Sequence, residues 1–267
     1  MGSNHIEHQL TSDLGLNRVI PYITVGFPTL ETTVAIAHAL AQSGASAIEL
    51  GVPFSDPIAD GPIIQQSSFH ALQNGVNLGD CLGVAGRLRK EGISIPLILM
   101  GYYNCFLAYG LERACSDASN NGVDGFIISD LPFEEAGLFL DFCQKYDLAL
   151  IPLVSPTSTN DRLEQSCSYA RGFVYCVSLL GVTGVRNTVA FDSKVLVQRI
   201  RNHTKIPVAV GFGISQPQHV YEISQYADAV VVGSALINAI DNATLGEEGL
   251  IAGQLITSFC TILNDTK

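Results

Sequence analysis

The sequence predicts an α/β protein of the (β/α)8 TIM barrel class, forming a single domain over residues 1–267. Short apolar runs, helical segments between them, and regular spacing together predict this fold. The runs have little polar alternation, which is typical of strands buried on both faces of a parallel sheet. The eight runs are 19–25, 47–52, 96–102, 125–129, 149–154, 172–178, 207–211 and 229–233.

Apolar residues recur at helical spacing between the runs, as in 32–42, 133–146, 194–202 and 250–263. Thr29 is expected to cap the first of these helices, and residues 155–161 resemble another helix start. Six of the seven gaps between run centres fit one strand–helix unit of roughly 22–35 residues. The gap between the second and third runs is longer and predicts an insertion. An open doubly wound sheet is the alternative architecture.

Nothing in the sequence marks an internal domain boundary, since no low-complexity tract or linker interrupts it. Residues 1–17 are expected to be an N-terminal extension or a helix at the bottom of the barrel.

The chain is acidic, with 14 Lys and Arg against 25 Asp and Glu and a formal net charge of −11. This balance disfavours nucleic acid and anionic membranes as partners. No apolar run approaches the ~20 residues that span a bilayer. Seven cysteines without a CxxC pair, together with an N-terminus that matches no signal peptide, predict a cytoplasmic protein.

Two acidic residues stand where a barrel places its chemistry, at and after the end of the second strand. Glu49 lies inside an apolar run, where a carboxylate is costly unless it is paired or protonated. Asp60 follows in a Gly- and Pro-rich loop. A Glu satisfied by buried partners and an Asp in an Asx-turn are the structural alternatives.

Glycine-rich segments follow the sixth, seventh and eighth runs, at 181–184, 211–215 and 233–236. Loops after the last strands of such barrels bind phosphate through backbone N–H groups and a helix N-terminus. Arg186 is the one basic residue close to them in sequence. Tight turns are the alternative, but three such loops in succession favour a phosphate site.

The remaining residues narrow the chemistry. None of the five lysines stands at a strand end, where a Schiff-base lysine would be needed, and no histidine is placed as a metal ligand. The sequence therefore predicts general acid–base catalysis by carboxylates, without a metal, on a phosphorylated small molecule.

Several motifs resemble the tryptophan synthase alpha subunit family, in the right order between about residues 18 and 240. They are IELGVPFSDPIADGP at 48–62, PYIT at 21–24, DLP at 130–132, GVTG at 181–184, GFGIS at 211–215 and GSA at 233–235. The resemblance implies a (β/α)8 lyase that cleaves indole-3-glycerol phosphate to indole and glyceraldehyde 3-phosphate. It also implies a beta subunit that carries pyridoxal phosphate, in an alpha2beta2 tetramer, and no cofactor in this chain.

The resemblance also implies roles for individual residues. Glu49 would protonate indole C3 and move the hydroxyl proton, and Asp60 would accept a hydrogen bond from the indole N–H. Tyr175 would orient the Glu49 carboxylate, and Thr183 would meet Asp60 on loop closure. The other implied groups are the substrate slot of Tyr22, Ile64, Met100, Tyr102, Ile127 and Phe212, the phosphate site of Gly184, Gly213, Gly233 and Ser234, and the partner interface of Asp56, Asn104 and Pro132.

The sequence departs from the family's pattern at three places. Leu179 follows Ser178 where Arg is frequent, Phe27 replaces an acidic residue, and the segment after Asn104 matches in part. These departures leave two alternatives: a lyase that acts without a beta subunit, and a non-catalytic barrel that activates one. Intact Glu49 and Asp60 argue against the second.

Overall fold

The computed structural model of the protein describes residues 2–11, 18–177, 186–211 and 213–264. Within these ranges nine strands alternate with helices. The strands are β1 (Val19–Thr24), β2 (Ile48–Gly51), β3 (Leu97–Gly101), β4 (Gly125–Ile128), β5 (Ala149–Ile151), β6 (Leu153–Val154), β7 (Val174–Val177), β8 (Val208–Gly211) and β9 (Ala229–Val232).

The helices of the described ranges surround these strands. They are α1 (Ser3–Thr11), α2 (Leu30–Gln42), α3 (Pro62–Gln73), α4 (Leu78–Lys90), α5 (Tyr103–Tyr109), α6 (Leu111–Asn120), α7 (Gly137–Lys145), α8 (Asn160–Tyr169), α9 (Arg186–Arg201), α10 (Pro217–Ser224), α11 (Ser234–Asp241) and α12 (Glu248–Asn264), with a 3-10 turn at Phe133–Glu135. None of them is long and apolar enough to cross a membrane.

All strand pairs are parallel, in the order β5-β4-β3-β2-β1-β9-β8-β7-β6. The strands at the two ends of this order, β5 and β6, are consecutive in the chain, so the sheet curves round into a barrel. The predicted (β/α)8 fold is confirmed, and the open doubly wound sheet is wrong.

The fifth apolar run forms two strands rather than one. Pro152 separates them because proline has no N–H to donate to a strand ladder. Ala149–Ile151 pair with β4, Leu153–Val154 pair with β7, and the Pro152 carbonyl accepts a hydrogen bond from Tyr175 N at 2.9 Å. Eight predicted runs therefore account for nine strands.

Helix starts follow the predicted caps where a side-chain oxygen can reach a backbone N–H. Thr29 Oγ1 accepts from Thr32 N at 3.0 Å, and Thr159 Oγ1 accepts from Arg162 N at 3.3 Å. The predicted insertion after β2 is confirmed as the helix pair α3 and α4. Between β3 and β4 there are two helices where one was expected, because Gly110 breaks the helix with a φ of +97°.

Two apolar layers enclose the strands. Inside the barrel, side chains such as Ile98, Met100 and Ile127 form one cluster, which Ile6 and Leu10 of α1 join at the N-terminal ends of the strands. Between strands and helices lies the larger cluster, which includes Phe106, Phe126 and Phe139. Helix α1 therefore covers the bottom of the barrel and leaves the opposite end, where the strands finish, as the open mouth.

Asp124 anchors this closed end just before β4. Its Oδ1 accepts hydrogen bonds from Gly2 N and His5 Nδ1, both at 2.9 Å. Its Oδ2 accepts from Leu97 N at 2.9 Å and from Arg89 Nη2 at 2.6 Å. The carboxylate thus ties together α1, α4 and the starts of β3 and β4.

Candidate active site

Glu49 is a fully buried acid in the middle of β2. Its strand neighbours in register are Tyr22 on β1 and Ile98 on β3. Neither carboxyl oxygen has a hydrogen-bond partner among the described residues. Burial therefore raises the pKa of Glu49 well above its usual range. Burial thus favours the neutral, protonated form of this side chain over the charged one.

Asp60 lies in the loop between β2 and α3, above the same end of the barrel. Its Oδ2 accepts a hydrogen bond from the Tyr102 hydroxyl at 2.9 Å, and Tyr102 Oη accepts from Ala59 N at 2.9 Å. Gln65 Nε2 donates to the Asp60 carbonyl at 2.8 Å. Burial raises the pKa of Asp60, while the Tyr102 hydrogen bond opposes the shift.

One cavity of about 420 Å³ opens at this mouth and brings most of the predicted site residues together. Its walls contain both acids, apolar and aromatic side chains, and glycines from the last strand ends. The predicted residues that line it are Tyr22, Glu49, Asp60, Ile64, Met100, Tyr175, Gly213, Gly233 and Ser234.

Sequence reasoning missed several lining residues, among them Ile63, Val231 and Asn238. Ser215 and Ala235 stand in the quoted glycine motifs and could have been found there. Asn238 carries no motif, yet it follows Ser234 by four positions on α11 and so faces the same side of the helix.

The glycine-rich end of the cavity, where the sequence predicts a phosphate site, is built from the loops after β8 and β9. Gly213 has a φ of +72°, which a glycine adopts without strain. Gly233 precedes α11, whose first residue is Ser234, so the first N–H groups of this helix face the cavity end. Such groups attract an anion.

Two tyrosine hydroxyls each lie over a glycine at the end of the strand next to their own: Tyr22 on β1 over Gly51 of β2, and Tyr175 on β7 over Gly211 of β8. A Cβ at position 51 would overlap the Tyr22 hydroxyl, and a Cβ at position 211 would overlap the Tyr175 hydroxyl. Both rings are cavity walls, so Gly51 and Gly211 provide the space that lets them approach the neighbouring strand. The sequence contains both glycines, but this reason for them is visible only in three dimensions.

Other predicted site residues lie outside the cavity. Ile127 is buried in the barrel interior beside Met100, its strand partner. Tyr102 stacks on Phe54, with ring centres 5.0 Å apart, and acts on Asp60 rather than lining the space. Thr183, Gly184 and Phe212 lie outside the described residues, as does the 178–180 segment with its departure from the family's pattern.

The predicted interface residues Asp56, Asn104 and Pro132 are exposed on loops and on α5 at the same end of the barrel. Pro132 borders a second cavity of about 680 Å³, which shares Asp60 and Met100 with the first. Phe27 is buried and packs edge-on against His70, with ring centres 5.3 Å apart, which explains an apolar residue at that position. Across the described ranges, no cluster of three His, Cys, Asp or Glu side chains has the arrangement of a metal site.

Comparison with known proteins agrees with this geometry. The sequence model of the family described as tryptophan synthase alpha chain matches residues 11–259. A tryptophan synthase alpha chain from Chloroflexus aggregans is 47% identical over 229 residues, covering 86% of each chain. Tryptophan synthase from Saccharomyces cerevisiae is 45% identical over 252 residues, which are 94% of this chain and 35% of that one. The crystal structure of tryptophan synthase subunit alpha from Legionella pneumophila str. Paris superposes with a TM-score of 0.90 at 35% identity, covering 98% of both chains. The chain therefore belongs to the tryptophan synthase alpha chain family.

Proposed function

We propose that the protein is a carbon–carbon lyase that cleaves indole-3-glycerol phosphate to indole and glyceraldehyde 3-phosphate, in the last stage of tryptophan biosynthesis. One observation carries the proposal. Glu49, buried and without a hydrogen-bond partner among the described residues, shares a single cavity with Asp60 and with the glycine-rich ends of β8 and β9. This set supplies a proton donor, a second acid and an anion site, as the reaction requires.

In the proposed reaction, protonated Glu49 gives its proton to C3 of the indole ring. The bond between C3 and the glycerol carbon then breaks, and the hydroxyl on that carbon loses its proton as it becomes the aldehyde. The carboxylate of Glu49 takes up this proton and returns to its starting state. Atoms balance without water, since one proton moves from oxygen to carbon.

Asp60 is proposed to accept a hydrogen bond from the indole N–H and to stabilise the positive charge that develops when C3 is protonated. Its connection to Tyr102 supports this role, because that hydrogen bond fixes the orientation of the carboxyl group. Tyr175 is proposed to orient Glu49. It is buried, and its hydroxyl lies over Gly211 in the same cavity.

The phosphate is proposed to bind at Gly213, Gly233 and Ser234. Backbone N–H groups there bring partial positive charge without a cation. Gly184 is proposed as a further contact, and Thr183 as the residue that meets Asp60 when the loop after β7 closes.

The chemistry is proposed to need neither a metal nor a cofactor in this chain. The proton steps have residues suited to them, because burial favours the protonated form of Glu49 and Asp60 lines the same cavity. Pyridoxal phosphate would be carried by a beta subunit. That partner is proposed to dock at the mouth, near Asp56, Asn104 and Pro132, in an alpha2beta2 complex in the cytoplasm.

The test is the rate of indole release from indole-3-glycerol phosphate, measured with and without a matched beta subunit. We expect slow cleavage by the protein alone and a clear increase on complex formation, because docking orders loops over the site and excludes water. Fast cleavage that the beta subunit does not change would support a stand-alone lyase. No cleavage in either case, with the beta subunit still activated, would support a non-catalytic activator.

A further inference from the structure

Tyr22 places a hydroxyl beside Glu49 in the floor of the cavity. The two residues are strand neighbours in register, and the Tyr22 hydroxyl occupies the space that a side chain at position 51 would need. Because residues two apart on a strand face the same side, positions 49 and 51 project into the barrel together. The hydroxyl is therefore next to the Glu49 side chain along the inner face of β2.

A chain of hydroxyl groups leads away from Tyr22 into the protein. Tyr22 Oη and Thr24 Oγ1 are 3.4 Å apart, Thr24 Oγ1 and Ser67 Oγ are 2.7 Å apart, and Ser67 Oγ lies 2.9 Å from the carbonyl of Ile64. Thr24 and Ser67 are both buried. In the contact at Tyr22, Thr24 donates and Tyr22 accepts, at a distance that is long for a hydrogen bond between hydroxyls, so the tyrosine's own proton is not held there.

The hydroxyl protons of this hydrogen-bonded series can be placed in two arrangements. In the outward one, Thr24 donates to Ser67, and Ser67 donates to the Ile64 carbonyl. In the inward one, Ser67 donates to Thr24 and Thr24 to Tyr22, which frees the Tyr22 proton to point into the cavity. Each hydroxyl carries one proton and accepts at two lone pairs, so the chain can run in either direction but not in both.

We infer that Tyr22 is a positioning residue for Glu49, which donates a hydrogen bond to the Glu49 carboxylate whenever that group has lost its proton. The inference rests on the proposed function for the moment at which the proton leaves. While Glu49 is protonated, Thr24 and Ser67 can take either arrangement. When Glu49 becomes a buried anion, the inward arrangement, in which Thr24 donates to Tyr22, leaves the Tyr22 proton for the cavity. Rotation of the Glu49 side chain then brings its carboxylate, which has no partner among the described residues, to this hydroxyl.

The other ionisable groups around Tyr22 are consistent with a neutral donor. Four such groups lie near it: Asp60 from the loop after β2, Tyr102 directly after β3, Tyr175 from β7, and Glu49 itself. Burial raises the pKa of Tyr22, and the negative charge of Asp60 raises it further. Tyr22 therefore keeps its proton and can donate it in a hydrogen bond without ionising.

The test is the titration of Glu49, followed by NMR of protein labelled with 13C at the glutamate carboxyl carbon, with Glu49→Gln to assign the signal. Tyr22→Phe removes the donor to the charged form and should raise the Glu49 pKa by about one unit, since hydrogen bonds to charged groups are worth about that much. It should also lower kcat about tenfold with little change in KM.

Thr24→Val removes the donor that turns the Tyr22 proton toward the cavity, so it should raise the same pKa, but by less than Tyr22→Phe does. Tyr146→Phe, at a half-buried position on the outside of the barrel, is the matched control and should titrate as the parent does. An unchanged Glu49 pKa in Tyr22→Phe, with a raised KM alone, would show that Tyr22 only packs against substrate. The titration needs no turnover, so a parent protein without lyase activity would overturn the proposed function and still leave the role of Tyr22 decided.

Discussion

Two buried carboxyl groups lie at opposite ends of this barrel, and their surroundings differ completely. Asp124 and Glu49 are both fully buried. Asp124, at the closed end, accepts four hydrogen bonds, one of them from the Arg89 guanidinium. Glu49, toward the open mouth, has no partner for either oxygen within the described part of the chain.

This difference sets opposite charge states. Burial alone raises a carboxyl pKa, and for Glu49 nothing opposes it. Burial also works to raise the pKa of Asp124, but hydrogen bonds from His5, Gly2 and Leu97 and the charge of Arg89 outweigh it and hold that pKa below its ordinary range. The comparison teaches that burial does not decide the role of an acid. The donors around it do. They favour the charged form of Asp124, whereas burial without a donor among the described residues favours the neutral form of Glu49, which we propose as the proton donor.

The largest expected effect is on catalysis. Glu49→Gln keeps the shape of the side chain and removes the transferable proton, so indole release should fall by about 10²–10⁴-fold while substrate binding is retained. Glu247→Gln, an exposed acid on the outside of the barrel, is the matched control. Activity of Glu49→Gln close to that of the parent would exclude Glu49 from the mechanism. The two acids would then differ in their surroundings but not in a catalytic role.

The next effect is on stability, at the other end. Asp124→Asn leaves Arg89 without its buried counter-charge and turns an NH2 group toward donors, so the free energy of unfolding should fall by about 3–5 kcal/mol. Asp228→Asn is a good control, because Asp228 also accepts from a strand amide, Val208 N at 2.8 Å, and from an arginine, Arg201 Nη2 at 3.0 Å, but is partly exposed. Urea unfolding that shows equal losses in both variants would contradict the structural role of burial at Asp124.

A smaller effect concerns the glycine-rich end of the cavity, where we propose that the phosphate binds. Gly233→Ala introduces a Cβ at ordinary contact distance from Tyr22, so the barrel should tolerate it, while the anion loses its close approach to the backbone. Binding of glycerol phosphate should weaken about tenfold, and binding of free indole should change less. Gly213 is a poorer choice, since its φ of +72° makes any side chain there strained. Binding is measured by calorimetry, with Gly83→Ala as the control, because a Cβ at position 83 on α4 meets open space. Equal losses of affinity for glycerol phosphate and indole in Gly233→Ala would point to a disturbed barrel.

The smallest effect is the pH dependence of stability, which has opposite signs for the two acids. Because the folded pKa of Glu49 is raised, the unfolded chain releases its proton first, and the parent loses stability as pH rises above the ordinary glutamate pKa. Glu49→Gln should escape this loss, by about 1.4 kcal/mol for each unit of pKa shift.

The folded pKa of Asp124 is lowered, so its contribution is present above the ordinary aspartate pKa and is lost as pH falls through the folded value. Urea unfolding of both variants from about pH 2 to 8 checks these signs, since the Asp124 contribution is lost only below the ordinary aspartate pKa. Parallel curves for Glu49→Gln and the parent would contradict the first sign.

Much of the fold could be predicted from the chain because its signals are local. The apolar runs became the strands, and Thr29 and Thr159 cap helices within three residues of themselves. Glu49 was recognisable as unusual because charged side chains are rare inside an apolar strand. The split at Pro152 and the helix break at Gly110 were visible as residues, but not as boundaries, because either can also be accommodated within a longer element.

The sequence by itself thus determined the order of strands and helices along the chain, the two candidate acids and the glycine-rich strand ends. The tertiary structure alone decided which acid is paired. The donors to Asp124 come from positions up to 122 residues away, and no local sequence pattern predicts that they converge there. Nor does any predict that, in the part of the chain that the structure describes, no donor reaches Glu49. The same holds for the Tyr22 hydroxyl over Gly51 and for Asn238 in the cavity wall. Hydrogen-bond partners depend on distances between strands, which closure of the barrel sets, and the charge of a buried acid follows from those partners.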